Sequence, residues 1–185
     1  MGFSLNIRIG AASVSAVTAL WDEVSAFEEQ PSMRALGYPP HLTLAIYDTD
    51  DVSEEARKNA LAHAAAEEAE LRLRFDRIGV FDGPPVVVWA DPEPKEPLMR
   101  MHHAIHAVID SSLCRPYYRP GAWVPHLTLG MAVPVERRDA AMAFAHNFRG
   151  VEAIFDVIDC VTFPPLRIAL ETQLPGRLDP LPAAP

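Results

Sequence analysis

Two copies of one short segment carry the residues best suited to chemistry. Tyr38-Pro39-Pro40-His41-Leu42-Thr43-Leu44 recurs as Trp123-Val124-Pro125-His126-Leu127-Thr128-Leu129, and the shared pattern is aromatic-x-Pro-His-Leu-Thr-Leu. On a strand, successive side chains point to opposite faces, so His41 and Thr43 share one face while Leu42 and Leu44 share the other. The second copy repeats this with His126 and Thr128. An imidazole titrates near pH ~6.5, so one of a pair can be neutral while the other is protonated at neutral pH. In-line displacement at phosphorus needs a base on the attacking oxygen and an acid on the leaving oxygen, on opposite sides of the phosphorus. Two facing His/Thr strands would supply both. Threonine hydroxyls can donate to the non-bridging oxygens, whose charge must be held in the transition state. The scheme calls for no metal and no cofactor.

The elements around each copy must bring the two segments together. Period-two alternation over Phe3–Ile9 predicts a half-buried strand, followed by a helix capped by Ser13 with Val14, Val17, Leu20, Val24 and Phe27 on one face. Pro39-Pro40 stops the chain before a strand over 41–47. A helix from Asp51 or Ser53 to about Glu70 follows. A hairpin-like pair over 71–81 and 86–90 turns at Asp82-Gly83-Pro84-Pro85. A helix over 97–113 leads through a Pro/Tyr/Gly-rich loop to a strand over 124–132. A short helix over 135–148 and a last strand pair, 153–163 and 166–172, complete the chain.

Further matches bring the halves into step. Phe75-Asp76-Arg77-Ile78 resembles Phe155-Asp156-Val157-Ile158, and Pro84-Pro85 resembles Pro164-Pro165. The expectation is an internal duplication: one bilobal domain over 1–174 whose lobes are related by a pseudo-two-fold axis, then a Pro-rich, poorly ordered tail over 175–185.

Composition narrows the partners. With 185 residues, 49% of them hydrophobic, the chain is large enough for one well-cored domain. A net charge of −9 disfavours extended nucleic-acid binding, which needs a cation near each phosphate. It does not disfavour one phosphate in a local pocket. No window is long and apolar enough to span a membrane, and residues 1–8 lack the basic and apolar regions of a secretory signal. A cytoplasmic monomer is expected, with Cys114 and Cys160 reduced and inert.

The tandem H-x-T-x motifs resemble those of the 2H phosphoesterases, a family that includes bacterial RNA 2′,3′-cyclic phosphodiesterases also called 2′-5′ RNA ligases. The resemblance runs over nearly the whole chain, including Phe81 and the Val86–Trp89 run between the motifs. It implies that His41 and His126 are the acid/base pair and that Thr43 and Thr128 bind the phosphate. It also implies a bilobal α+β fold in which two antiparallel-rich sheets line a central groove with helices outside. The implied substrate is a nucleotide or RNA-terminal phosphate, opened by a metal-independent cyclic phosphodiesterase with RNA joining as a side activity. Lys58 and Lys95 are the only lysines, and no basic cluster accompanies the motifs, which favours a nucleotide-sized substrate over a long RNA.

Other residues admit two readings. Asn6 and Arg8 could face the groove and touch phosphate, or lie on a solvated strand face, and Arg167 has the same status. Tyr38 and Trp123 could stack on a base, but their parity opposite the histidines favours packing. His102-His103-x-x-His106 has helical spacing that can bind zinc, without the acidic or cysteine partners that would complete a site; it reads better as a polar helix edge. A non-catalytic module that binds nucleotides or RNA ends is the alternative function.

Overall fold

The computed structural model describes residues 2–176. Gly2–Ile9 (β1) runs antiparallel to His41–Tyr47 (β2) on one side and to Val151–Phe163 (β6) on the other. A central position explains why β1 is buried on both faces and not half-solvated as its alternation suggests: Leu5 and Ile7 fill the core, while Ser4 and Asn6 are buried polar groups. The first five residues of β6 pair with Leu71–Phe81 (β3), and its later residues pair with Arg167–Gln173 (β7). β3 forms a hairpin with Val86–Glu93 (β4), and β4 pairs with Leu127–Val133 (β5). All seven strands are antiparallel and continuous, in the order β1-β2-β5-β4-β3-β6-β7, and the β1–β6 pairing closes six of them into a ring. The α+β, antiparallel-rich architecture is the one expected, and its strands form one sheet in which the long β6 pairs with β1, β3 and β7.

The ring closes between β2 and β5 by a single residue pair, Leu42 opposite Leu127. Both leucines are fully buried. Helices cover the outside: Val14–Ser25 (α1), the one-turn Ser32–Ala35 (α2), Glu54–Glu67 (α3), Glu96–Val108 (α4) and Arg138–His146 (α5). α1 buries Val17, Leu20, Trp21 and Val24, a 3.6-period stripe, and α4 buries Leu98, Met101, His102 and Ile105.

Several boundaries differ from the sequence reading for local reasons. Ser13 does not cap α1; its Oγ accepts from the Ile154 N–H at 3.0 Å and ties the helix start to β6. The expected helix over 97–113 ends at Val108, where Ile109 turns extended, and a separate 3-10 turn covers Ser111–Leu113. α2 is too short to carry a periodic signal. Of the expected Pro-rich tail, Pro175 accepts from the Glu70 N–H at 2.9 Å, and residues 177–185 lie outside the described residues.

Candidate active site

The lone pair Leu42–Leu127 sets the geometry of everything polar beside it. Continuing that antiparallel register by one residue puts His41 across from Thr128 and Thr43 across from His126, all four on the face opposite the buried leucines. Facing residues in such a ladder have Cβ atoms about 5 Å apart, and diagonal ones about 7–8 Å. The two imidazoles therefore occupy one diagonal of a quartet and the two hydroxyls the other. All four side chains are half-buried. The proximity has an electrostatic consequence, since charge on His126 disfavours charge on His41.

Each imidazole is oriented by its own strand. His41 Nδ1 is 2.9 Å from the Pro39 carbonyl, and His126 Nδ1 is 2.7 Å from the Val124 carbonyl. A carbonyl can only accept, so both rings carry their proton on Nδ1 when neutral and leave Nε2 open. Burial pushes the His41 pKa down to about 4, and burial lowers that of His126 as well. Aromatic edges pack both rings: Tyr38 against His41 with centroids 4.6 Å apart, and Phe81 against His126 at 5.1 Å. Phe81 is in turn stacked on Trp89 at 4.9 Å. Trp89 crosses the main chain of Gly79, where any Cβ would sit 2.5 Å from its ring, so the absence of a side chain there makes room for that wall.

The threonine main chains are held by indoles. Trp123 Nε1 donates to the Thr43 carbonyl at 3.1 Å, and Trp21 Nε1 donates to the Thr128 carbonyl at 3.0 Å. The threonine hydroxyls differ. Thr43 Oγ1 donates to Asn6 Oδ1 at 3.1 Å, whereas the Thr128 hydroxyl has no protein partner among the described residues. Behind Asn6 lies Asp159 of β6, fully buried, which accepts from Asn6 Nδ2 at 3.1 Å, Tyr38 Oη at 2.7 Å and Arg8 Nε at 3.0 Å. Burial raises the Asp159 pKa, and the converging donors oppose that rise. Arg8 stands across the β1–β2 ladder from His41, on the same face, and is engaged there by Asp159 and Glu171. Asn6 reaches the quartet only through Thr43. Tyr38 and Trp123 are buried, but Tyr38 lies against the His41 ring and not opposite it, because β2 begins only at His41 and strand parity does not reach back through Pro39-Pro40, while the Trp123 indole holds the Thr43 carbonyl. Arg167 is exposed on the outer strand β7.

Sequence reasoning missed Asp159. Its signal is a lone acid inside the apolar run Val157–Val161, where a strand should carry none unless it is satisfied.

Beside His126 opens a cleft of about 560 Å³ with Phe81, Val87, Tyr117, Tyr118 and Val124 in its walls and Asp82 at its edge. Its size suits a small ligand, and its walls offer aromatic faces without a cation. Asp82 is paired with Arg138 at 2.6 Å.

The His102/His106 pair does not sit on a polar edge. His102 lies on the apolar stripe of α4 with no exposed surface. Its Nε2 and that of His106 both donate to the Tyr118 carbonyl, at 2.9 and 3.1 Å. The His102 ring stacks on Trp123 at 4.4 Å between centroids, and Tyr47 Oη meets His106 Nδ1 at 3.3 Å. Among the described residues, no group of His, Cys, Asp and Glu is arranged to hold a metal ion. These rings instead clasp the loop that carries Tyr117 and Tyr118 and leads into the second motif. Cys114 and Cys160 are free and buried, and burial pushes the Cys160 thiol up to about 11.

A sequence profile of the 2′-5′ RNA ligase superfamily matches residues 15–160. No curated protein sequence matches the chain. Among solved structures, E. coli LigT in its apo form aligns with a TM-score of 0.59 at 18% identity, covering 94% of this chain and 97% of that one. LigT complexed with 3′-AMP aligns at 0.57 and 17% identity, covering 93% and 96%. Kluyveromyces marxianus Usb1 with uridine monophosphate aligns at 0.55 and 11% identity, covering 94% and 97%. At such identities the likeness is one of fold.

Proposed function

The chain belongs to the 2′-5′ RNA ligase superfamily, and on that footing we propose that it is a phosphodiesterase opening 2′,3′-cyclic phosphates or related ribose phosphodiesters, with His41 and His126 as its acid/base pair. The observation that carries this reading is the Leu42–Leu127 pair, which sets two Nδ1-anchored imidazoles on one diagonal with their Nε2 atoms open. With a phosphoryl group seated between them, one neutral Nε2 takes a proton from water as its oxygen bonds to phosphorus. The bond from phosphorus to one ribose oxygen breaks, and that oxygen takes the proton from the other imidazole in its protonated form. The ring-opened phosphate remains on the neighbouring ribose oxygen. The reverse step, joining a hydroxyl to a cyclic phosphate, uses the same two groups and gives the RNA-joining side activity.

The aromatic cleft beside His126 takes the nucleobase. LigT was solved with 3′-AMP and Usb1 with uridine monophosphate, which supports a ligand of nucleotide size. The lack of a cation in the cleft walls supports the same limit.

The test is hydrolysis of nucleoside 2′,3′-cyclic phosphates with EDTA present. Turnover is expected, and His41→Ala and His126→Ala should each lower the rate at least ~10²-fold, the usual contribution of a positioned acid or base. Full activity in His126→Ala overturns the assignment. Binding of the cyclic phosphate without turnover would instead mark a non-catalytic module.

A further inference from the structure

Resting on the phosphoryl seat just described, we propose that Thr43 is a hydrogen-bond acceptor in the site, held in that role by Asp159 acting through Asn6, so that Thr128 alone donates a side-chain hydroxyl to the phosphate. The tandem motif by itself suggests two equivalent threonines. The side chains behind them make the two unequal.

Asp159 sets the polarity of the chain of bonds. Every side chain that touches its carboxylate is a donor: the Tyr38 hydroxyl, the Arg8 guanidinium and the Asn6 amide nitrogen. An ionised carboxylate can only accept, so Asn6 must turn its NH₂ toward Asp159 and its carbonyl oxygen toward Thr43. That oxygen has no proton to give. The 3.1 Å contact between Thr43 Oγ1 and Asn6 Oδ1 is therefore made with the hydroxyl's one proton. Asn6 is 1% exposed, so withdrawing that proton would leave a buried carbonyl unpaired. A phosphate oxygen is itself an acceptor and gains nothing from what Thr43 has left, which is a lone pair. Across the ladder from Thr43 stands His126, and the lone pair suits an N–H or O–H brought there. Thr128 has the opposite character. Its hydroxyl is half-buried beside the groove with no protein partner among the described residues, so its proton is available to a phosphate oxygen. Near the second motif the rings of Phe81, Trp89 and Tyr118 pack around His126, and among the described residues none of them is hydrogen-bonded to the Thr128 hydroxyl.

Inhibition by inorganic phosphate reads the difference directly. Thr→Val keeps the shape and removes the hydroxyl. Thr128→Val should weaken phosphate ~10-fold or more, the usual effect of losing a hydrogen bond to a charged group, while Thr43→Val should leave it within about two-fold. Asp159→Asn lets Asn6 turn over and frees the Thr43 proton. In that background Thr43→Val should weaken phosphate several-fold, a coupling that a merely structural Asp159 would not produce. Should the Asp159 variant not fold, the two valine variants decide alone. Equal losses in both, or a larger loss in Thr43→Val, overturn the proposal and leave the phosphoryl seat standing. No change in either removes the seat and the proposal with it. An absence of coupling in Asp159→Asn strikes Asp159 from the role.

Discussion

An imidazole that has given its Nδ1 proton to a carbonyl has one nitrogen left for exchange, and both motif histidines are in that state. Burial then decides where they titrate. The free enzyme holds His41 at about 4 and His126 below the ordinary imidazole value, so both limbs of the kcat/KM profile should lie acid of pH ~6.5. A bell centred at or above neutrality would contradict this. In kcat, which reports the bound complex, the limbs should move back toward neutrality, because a bound phosphate favours imidazolium. The His/Thr pairs were legible in the sequence, since repetition and strand parity are local signals. The inequality of the threonines was not. It depends on Asp159, Asn6 and Tyr38, which meet only after the chain has folded β6 against β1.

At the scale of elements, α4 joins the two motifs. His102 and His106 grip the Tyr118 carbonyl, and His102 stacks on Trp123, whose indole holds the Thr43 carbonyl. His102→Leu removes one of the two donors and the stacked ring. It should raise KM several-fold with kcat little changed, because the loop forms a cleft wall and not the reacting pair. It should cost about 1 kcal/mol in urea unfolding, the typical worth of a neutral hydrogen bond. His102→Gln, which can still donate to the carbonyl, should recover most of the KM. A fall in kcat of the size expected for His126→Ala would show instead that the clasp bears on chemistry. Periodicity placed the strands and main helices well. It misjudged His102 because the residue type suggested a polar edge, although the spacing of Leu98, Met101, His102 and Ile105 already put it on the inner stripe.

For the molecule as a whole, histidines buried in neutral form make stability depend on pH. His41 and His102 are each held at about 4, against 6.5 for an unperturbed ring. Between those values the unfolded chain binds protons that the folded chain refuses, so stability rises with pH across the window and is lost as pH falls through it. The urea midpoint should therefore drop steadily from pH ~6.5 toward pH ~4, and less steeply in His102→Leu. A flat midpoint over that range would place the rings in water. The α+β class and antiparallel strands could be read from alternation and turn residues. Closure of six strands into a ring could not, because one strand, β6, serves β1, β3 and β7 at once, and no local pattern records how many partners a strand has. The narrowness of the β2–β5 junction was equally hidden, although it sets the quartet.

The bonds from Pro39 to His41 and from Val124 to His126 each span three consecutive residues. In a serine-protease triad the residue that orients the histidine comes from a distant part of the chain, so copying a short piece would copy only a fragment of the device. Here the orienting carbonyl, the proline and the imidazole form a self-sufficient cassette. Any event that copied a segment containing it would deliver a second, correctly tautomerised ring in one step, needing only a fold that sets the copies face to face.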